Sequence, residues 1–217
     1  LTLDRDMARR GYDIRIGFTQ DRNASEAVDI ALEVPSVVSA ETWLSRNATL
    51  LRAGERLADS AGLGAQLLGV PVGSIAQRPV ITEGRWLEAG DERAVIISAE
   101  TAEKNSIAVG DEVTLDLGAL GATTWQVAGQ YRVVYDTGFV IEPVYAPLTA
   151  MREATGLSDE ASVIYVTVKD AGLGAIRTTA NDLKTRYEEA GFKVDLYTTV
   201  IKLEERAYAN NQFNTVI

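Results

Sequence analysis

Two residue types are missing altogether: the 217-residue chain contains neither cysteine nor histidine. Without cysteine there is no disulfide, no thiol nucleophile and no thiolate metal site, so the fold needs no particular redox environment. Without histidine the usual general base near neutral pH and the commonest transition-metal ligand are gone, which excludes Ser-His-Asp triads and histidine-based zinc sites. Basic charge is also scarce. The 21 Lys and Arg face 31 Asp and Glu, giving a net charge of −10, the wrong sign for gripping a phosphate backbone, so nucleic acid is not an expected partner. No apolar run approaches the roughly 20 residues that a membrane-spanning helix needs. What is present is an ordinary globular composition, 46% hydrophobic and 24% charged, sufficient to bury a core in one or two domains. The chain opens on Leu1 without a leader pattern, which reads as an interior segment of a longer protein.

Periodicity then organises the two ends. Tyr12, Ile14, Ile16 and Phe18 alternate with polar or small residues, the period of a half-buried strand. Asn23 and Glu26 have capping-box spacing, and Ala27, Ile30, Ala31 and Val34 mark one helical face before Pro35, after which Val38 to Leu44 reads as a strand. The same order recurs near the other end. Ile164, Val166 and Val168 alternate, Ile176, Ala180, Leu183 and Tyr187 form a helical stripe, and Val194 and Leu196 resume alternation after Gly191. Two strand-helix-strand units of this kind pack as a four-stranded sheet with both helices on one face, a ferredoxin-like arrangement.

Between the units, Trp43 to Leu51 and Gln66 to Val72 read as an extended hairpin around the Gly-rich bend from Arg52 to Gly64. A strand-rich block follows. Ser98 caps a brief helix after the strand Ala94 to Ile97, and Val113, Trp125, Val127 and Tyr131 supply further strand. Pro147 and Gly156 bracket a short helix. The expected division is 1–76 and 150–217 as two halves of one lobe, with 77–149 inserted between them. Charge follows that division, since residues 77–150 hold 5 basic and 11 acidic side chains. The segment 201–217 is expected to be helical, and it ends on the apolar Phe213, Val216 and Ile217.

Catalytic and cofactor motifs are not apparent. Gly172-Leu173-Gly174 opens a helix after a strand, but Arg177 stands where a dinucleotide fingerprint needs its third glycine. The carboxylates Glu88, Asp91 and Glu92, and Asp111, Glu112 and Asp116, lack the spacing of a calcium loop and read as solvated acidic loops. No catalytic residue, metal site or cofactor is therefore expected. Trp86 and Trp125 read as core residues. Trp43, Leu50, Leu51, Leu67 and Leu68 are the candidates for contact with a partner or a lipid-like ligand, because a long hairpin can present apolar side chains.

The middle of the chain carries an ordered series: Gly69-Val70-Pro71, Glu83-Gly84-Arg85-Trp86-Leu87, Ala94-Val95-Ile96-Ile97-Ser98, Val109-Gly110-Asp111-Glu112-Val113-Thr114-Leu115 and Trp125-Gln126-Val127-Ala128-Gly129. In order and spacing it resembles the MacB-like periplasmic core domain of FtsX/LolC/MacB-type ABC-transporter permeases, over nearly the whole chain. The resemblance implies an α+β, two-lobed fold, a porter-like lobe of two βαβ units interrupted by a β-rich, Sabre-like lobe. It implies a place on the extracytoplasmic face of the bacterial cytoplasmic membrane, tethered by flanking transmembrane helices. It also implies a non-enzymatic role, coupling ATP hydrolysis to substrate export or to regulation of a partner by mechanotransmission. The implied partners are the permease's own membrane helices, a second permease subunit, a cytoplasmic ATPase subunit and an extracytoplasmic protein. Gly84, Gly110 and Gly129 match family positions and are expected in tight turns, with Arg85 and Asp111 bonded to them. The alternative is an extracellular ligand-binding or glycan-active domain.

Overall fold

The structure, a computed structural model, describes residues 9–58, 64–132, 141–194, 200–202 and 204. In chain order the first elements are β1 (Ile14–Asn23), α1 (Ala24–Leu32), β2 (Val37–Arg52), β3 (Glu55–Arg56), β4 (Ala65–Val70) and β5 (Val80–Gly84). Next come β6 (Ala94–Ser98), α2 (Ala99–Lys104), β7 (Glu112–Asp116) and β8 (Ala122–Arg132). The last are β9 (Glu142–Pro147), α3 (Leu148–Thr155), β10 (Glu160–Val168), α4 (Leu173–Glu189) and β11 (Val200–Ile201). They form two compact units, Leu1–Trp43 with Ser74–Arg78 and Asp159–Ile217, and Leu44–Gly73 with Pro79–Ser158.

In the first unit the strand order is β11-β1-β10-β2. Both β1 and β2 run antiparallel to β10, so β1 and β2 are parallel to each other with β10 inserted between them. The two βαβ passes are thus interleaved, as in ferredoxin-like sheets. Local chemistry starts each helix where the sequence signals it. The Asn23 side chain accepts the Glu26 amide at 2.8 Å to open α1, and α1 buries only Ala24, Ala27 and Ala31, side chains small enough to let it lie close on the sheet. From α4, Ile176, Ala180, Leu183 and Tyr187 join Ile14, Ile16, Ile164 and Val166 in one core, and the Tyr187 hydroxyl donates to the Ala27 carbonyl at 2.6 Å. Each large aliphatic side chain buried this way contributes about 1.5–3 kcal/mol.

In the second unit the pairings close on themselves. β2 pairs β4, β4 pairs β9, β9 pairs β6, β6 pairs β8, β8 pairs β7, and β7 returns to β2. A ring of strands has no free edges among its own members. Leu44, Leu67, Val95, Ile97, Leu115, Trp125, Val127 and Val144 fill its interior. Ser98 caps α2 by accepting the Thr101 amide at 3.0 Å. α3 starts after Pro147 and ends at Gly156 in the left-handed region. Met151 and Leu148 of α3 lie so close over β4 that a Cβ on Gly69 would meet the Met151 sulfur at 2.8 Å.

The unit boundaries differ from the sequence expectation. Residues 44–73 and 150–158, expected in the first lobe, belong to the second unit. The reason is β2, whose 16 residues exceed the length one small sheet uses. Its residues 37–43 pair with β10, while 44–51 pair with β4 and β7. Alternation reports which face a residue takes but not which of two cores receives it. The expected hairpin is present as the antiparallel pair of β2 and β4, with Ala48 opposite Ala65. The expected helix over 201–217 falls almost wholly outside the described residues, as do parts of the expected strands at 133–135 and 196.

Candidate functional site

The first unit receives the chain's incoming and outgoing segments at one place. Ile14 pairs with Ile201 and Arg15 with Val200, so β1 and β11 are neighbours in the sheet. Asp13, one residue before β1, is the node between them. Its amide donates to the Val166 carbonyl at 2.9 Å, and its carbonyl accepts the Lys202 amide at 3.1 Å. Its carboxylate accepts the Val168 amide at 2.9 Å, at the end of β10 where the pairing with β2 shifts register between Thr167 and Val168. The carboxylate thereby satisfies a backbone donor at an irregularity in the ladder. The Lys202 ammonium donates to the Arg10 carbonyl at 3.0 Å and lies 4.0 Å from the Asp13 carboxylate. Beyond it, Glu204 accepts from Arg177 on α4.

The sheet face opposite the helices is aromatic and polar. Tyr165 stands between Tyr12 and Trp43, with ring centroids 5.1 and 4.8 Å away. Burial pushes the Tyr165 hydroxyl far above the usual phenol range; Arg15 opposes the shift, while Tyr12 and Glu41 add to it. Glu41 accepts from the Trp43 indole at 2.9 Å and from the Ser74 hydroxyl. Ser74 belongs to the short segment Ser74–Arg78, which packs in this unit although the chain on both sides of it lies in the other. Ser74 and Ala76 are buried, and the Gly11 amide donates to the Ile75 and Ala76 carbonyls at 2.9 and 3.1 Å.

Of the five candidate contact residues, Trp43, Leu50 and Leu67 are buried, Trp43 in the first unit and the two leucines in the core of the second. Leu50 lines a small apolar pocket with Leu57, Ala65, Ile97 and Val144, where Thr101 donates to the buried Glu142 carboxylate. These three side chains therefore face inward and are not offered to a partner. Leu51 and Leu68 are half-buried. Trp125 is core as expected, and Trp86 is half-buried against Tyr145 at 5.2 Å.

The acidic loops are more structured than solvated carboxylates. Arg85 holds Asp91 with two hydrogen bonds, 2.7 and 2.9 Å, and the Glu88 amide donates to the same carboxylate at 2.8 Å. The Arg85 guanidinium holds the Asp91 carboxyl below the ordinary carboxylate range, against an opposing effect of burial. Arg85 thus bonds Asp91 and the Trp86 carbonyl, not through its side chain to a turn glycine. Asp111 closes another loop, accepting Arg52 at 3.0 Å and the Ala108 amide at 3.1 Å. Because Asp91 has a depressed folded-state pKa, its contribution to stability is full above the ordinary carboxyl pKa of about 4 and is lost as pH falls through the depressed value. Asp91→Asn is expected to cost about 1 kcal/mol at neutral pH. In urea titrations the gap between variant and parent should narrow as pH is lowered below 4; a gap independent of pH would remove the charge from the account.

Gly84 is in the left-handed region and Gly110 likewise, but Gly129 sits within β8, where a Cβ would meet the Arg85 carbonyl oxygen at 2.2 Å. Its role is close backbone approach, not a turn. Among the described residues no three of His, Cys, Asp and Glu are grouped to hold a metal ion, and no helix is long and apolar enough to cross a membrane. Sequence reasoning did not find Asp13, Gly11, Ser74 or Lys202. Each is a lone polar or small residue whose partners lie far along the chain, and no local spacing marks it.

The mixed α+β fold is similar to that of two solved structures of extracytoplasmic regions. One is the extracellular domain of the noncanonical ABC-type transporter YknZ from Gram-positive bacteria, 16% identical, with TM-score 0.58, covering 85% of this chain and 100% of that one. The other is the periplasmic region of MacB from Actinobacillus actinomycetemcomitans, 12% identical, with TM-score 0.60, covering 95% of this chain and 96% of that one. The likeness of both shows a shared mixed α+β fold. The chain belongs to the MacB-like periplasmic core domain family, whose model matches residues 3–181, and it is an extracytoplasmic domain of an ABC-transporter permease. No match was found among curated proteins.

Proposed function

We propose that this domain transmits displacement. ATP hydrolysis by a separate cytoplasmic subunit moves the flanking membrane helices of a permease pair. The motion enters the domain through its two chain ends, and the domain uses it to expel or hand on a substrate or to switch an extracytoplasmic protein. No bond is made or broken in the domain itself. The observation that carries this reading is the pairing of β1 with β11, because both flanks then act on neighbouring strands of one sheet. A displacement applied to the pair is delivered to a hydrogen-bonded ladder instead of to a loop.

The absence of cysteine from this chain makes the test direct. Asn181→Cys on α4 and Glu103→Cys on α2, both exposed positions, give one spin label in each unit. In the full-length permease, with any cysteine outside this domain replaced and its ATPase present in proteoliposomes, trapping the ATP-bound state is expected to shift the inter-label distance by several ångströms. Identical distance distributions with and without nucleotide would defeat the proposal.

A further inference from the structure

The segment Ser74–Arg78 is anchored to the first unit by contacts that no sequence pattern requires. Its Ser74 hydroxyl donates to Glu41, its Ala76 amide donates back to the Ser74 hydroxyl at 3.2 Å, and Arg78 donates to the Ser74 carbonyl at 3.0 Å. The incoming chain grips it too, since Gly11 donates one amide to two of its carbonyls. That approach is so close that a Cβ on Gly11 would stand 2.4 Å from the Ile75 carbonyl oxygen. Position 11 is two residues before the Asp13 node. Both ends of the segment, at Gly73 and Pro79, continue directly into the second unit.

We infer that Ser74–Arg78 is a strap that relays displacement of the incoming chain to the second unit. The inference rests on the displacement reading above and names the path it takes. A shift at residues 10–13 cannot leave the strap behind without breaking the bifurcated bond at Gly11. The strap is bonded to Glu41 through Ser74 and to Gly11 through the Ile75 and Ala76 carbonyls, and its two covalent ends are inextensible. Small movement at the strap is therefore passed on through the backbone without repacking the sheet.

Two variants free the strap by different means: Gly11→Ala through the clash with Ile75, and Ser74→Ala through loss of the hydroxyl that Glu41 and Ala76 share. Hydrogen exchange on the full permease is expected to show at least tenfold faster exchange at residues 74–78 in both, with Ile16 and Ile164 unchanged. The nucleotide-dependent shift between labels at 103 and 181 should fall by half or more in both variants. If the strap exchanges fast and the full shift persists, the relay is wrong and the displacement reading stands. If the strap remains protected in both variants, its anchoring is wrong and the relay falls with it. If the parent protein shows no nucleotide-dependent shift, both readings fall together.

Discussion

Gly129→Ala is expected to destabilise the second unit by about 3 kcal/mol, near the upper end of what overpacking costs. The new Cβ would lie 2.2 Å from the Arg85 carbonyl oxygen, 3.0 Å from the Arg85 amide nitrogen and 3.1 Å from the Glu83 carbonyl oxygen. All three are backbone atoms, so no side chain can swing away to make room. They belong to the stretch where β5 leaves β8, and the Arg85 amide there donates to the Ala128 carbonyl at 3.0 Å. Relief would require separating the strands and losing that bond. Gly110→Ala is the contrasting case. Gly110 has φ 98° but no atom within 4 Å of an added Cβ, so only backbone strain is incurred, about 1–2 kcal/mol. Urea denaturation followed by circular dichroism compares the two. Equal losses would mean that conformation, not crowding, sets the requirement for glycine at 129.

Trp43→Ala is expected to cost about 3–5 kcal/mol, the range for removing a large aromatic side chain from a core. Trp43 is 0% exposed, packs against Tyr165 and donates to Glu41. Its removal opens a cavity beside a ring that is itself buried, and it leaves Glu41 with one donor fewer. Trp43→Phe keeps most of the volume but loses the indole hydrogen bond, and is expected to cost about 1–2 kcal/mol. Thermal unfolding followed by circular dichroism orders the three proteins. A Trp43→Ala protein as stable as its parent would return this residue to the class of partner contacts from which its burial removes it.

What the sequence made legible was local. The Asn23 cap, the α4 stripe and the alternation in β1 and β10 were readable because each depends on neighbours within a few residues and on one buried face. The α+β class follows from their order. The hairpin of β2 and β4 was also readable, but not whether its apolar residues serve a core or a partner. Leu50 and Leu67 meet partners such as Val95 and Leu115 that arrive from strands much later in the chain, and alternation cannot distinguish a face turned to a core from one turned to a visitor. The acidic loops failed for a related reason. Arg85 and Asp91 are close in sequence, but whether they pair depends on the loop geometry between them. The node at Asp13 was least legible of all, since its partners Val168 and Lys202 lie on the opposite end of the chain.

The side-by-side pairing of β1 and β11 also bears on how the first unit could be closed on itself. Neighbouring antiparallel strands place their facing residues only about 5 Å apart, so the entry to β1 and the exit from β11 are separated by a short gap. A covalent link across Asp13 and Lys202 therefore has little end-to-end distance to span and little loop-closure entropy to lose.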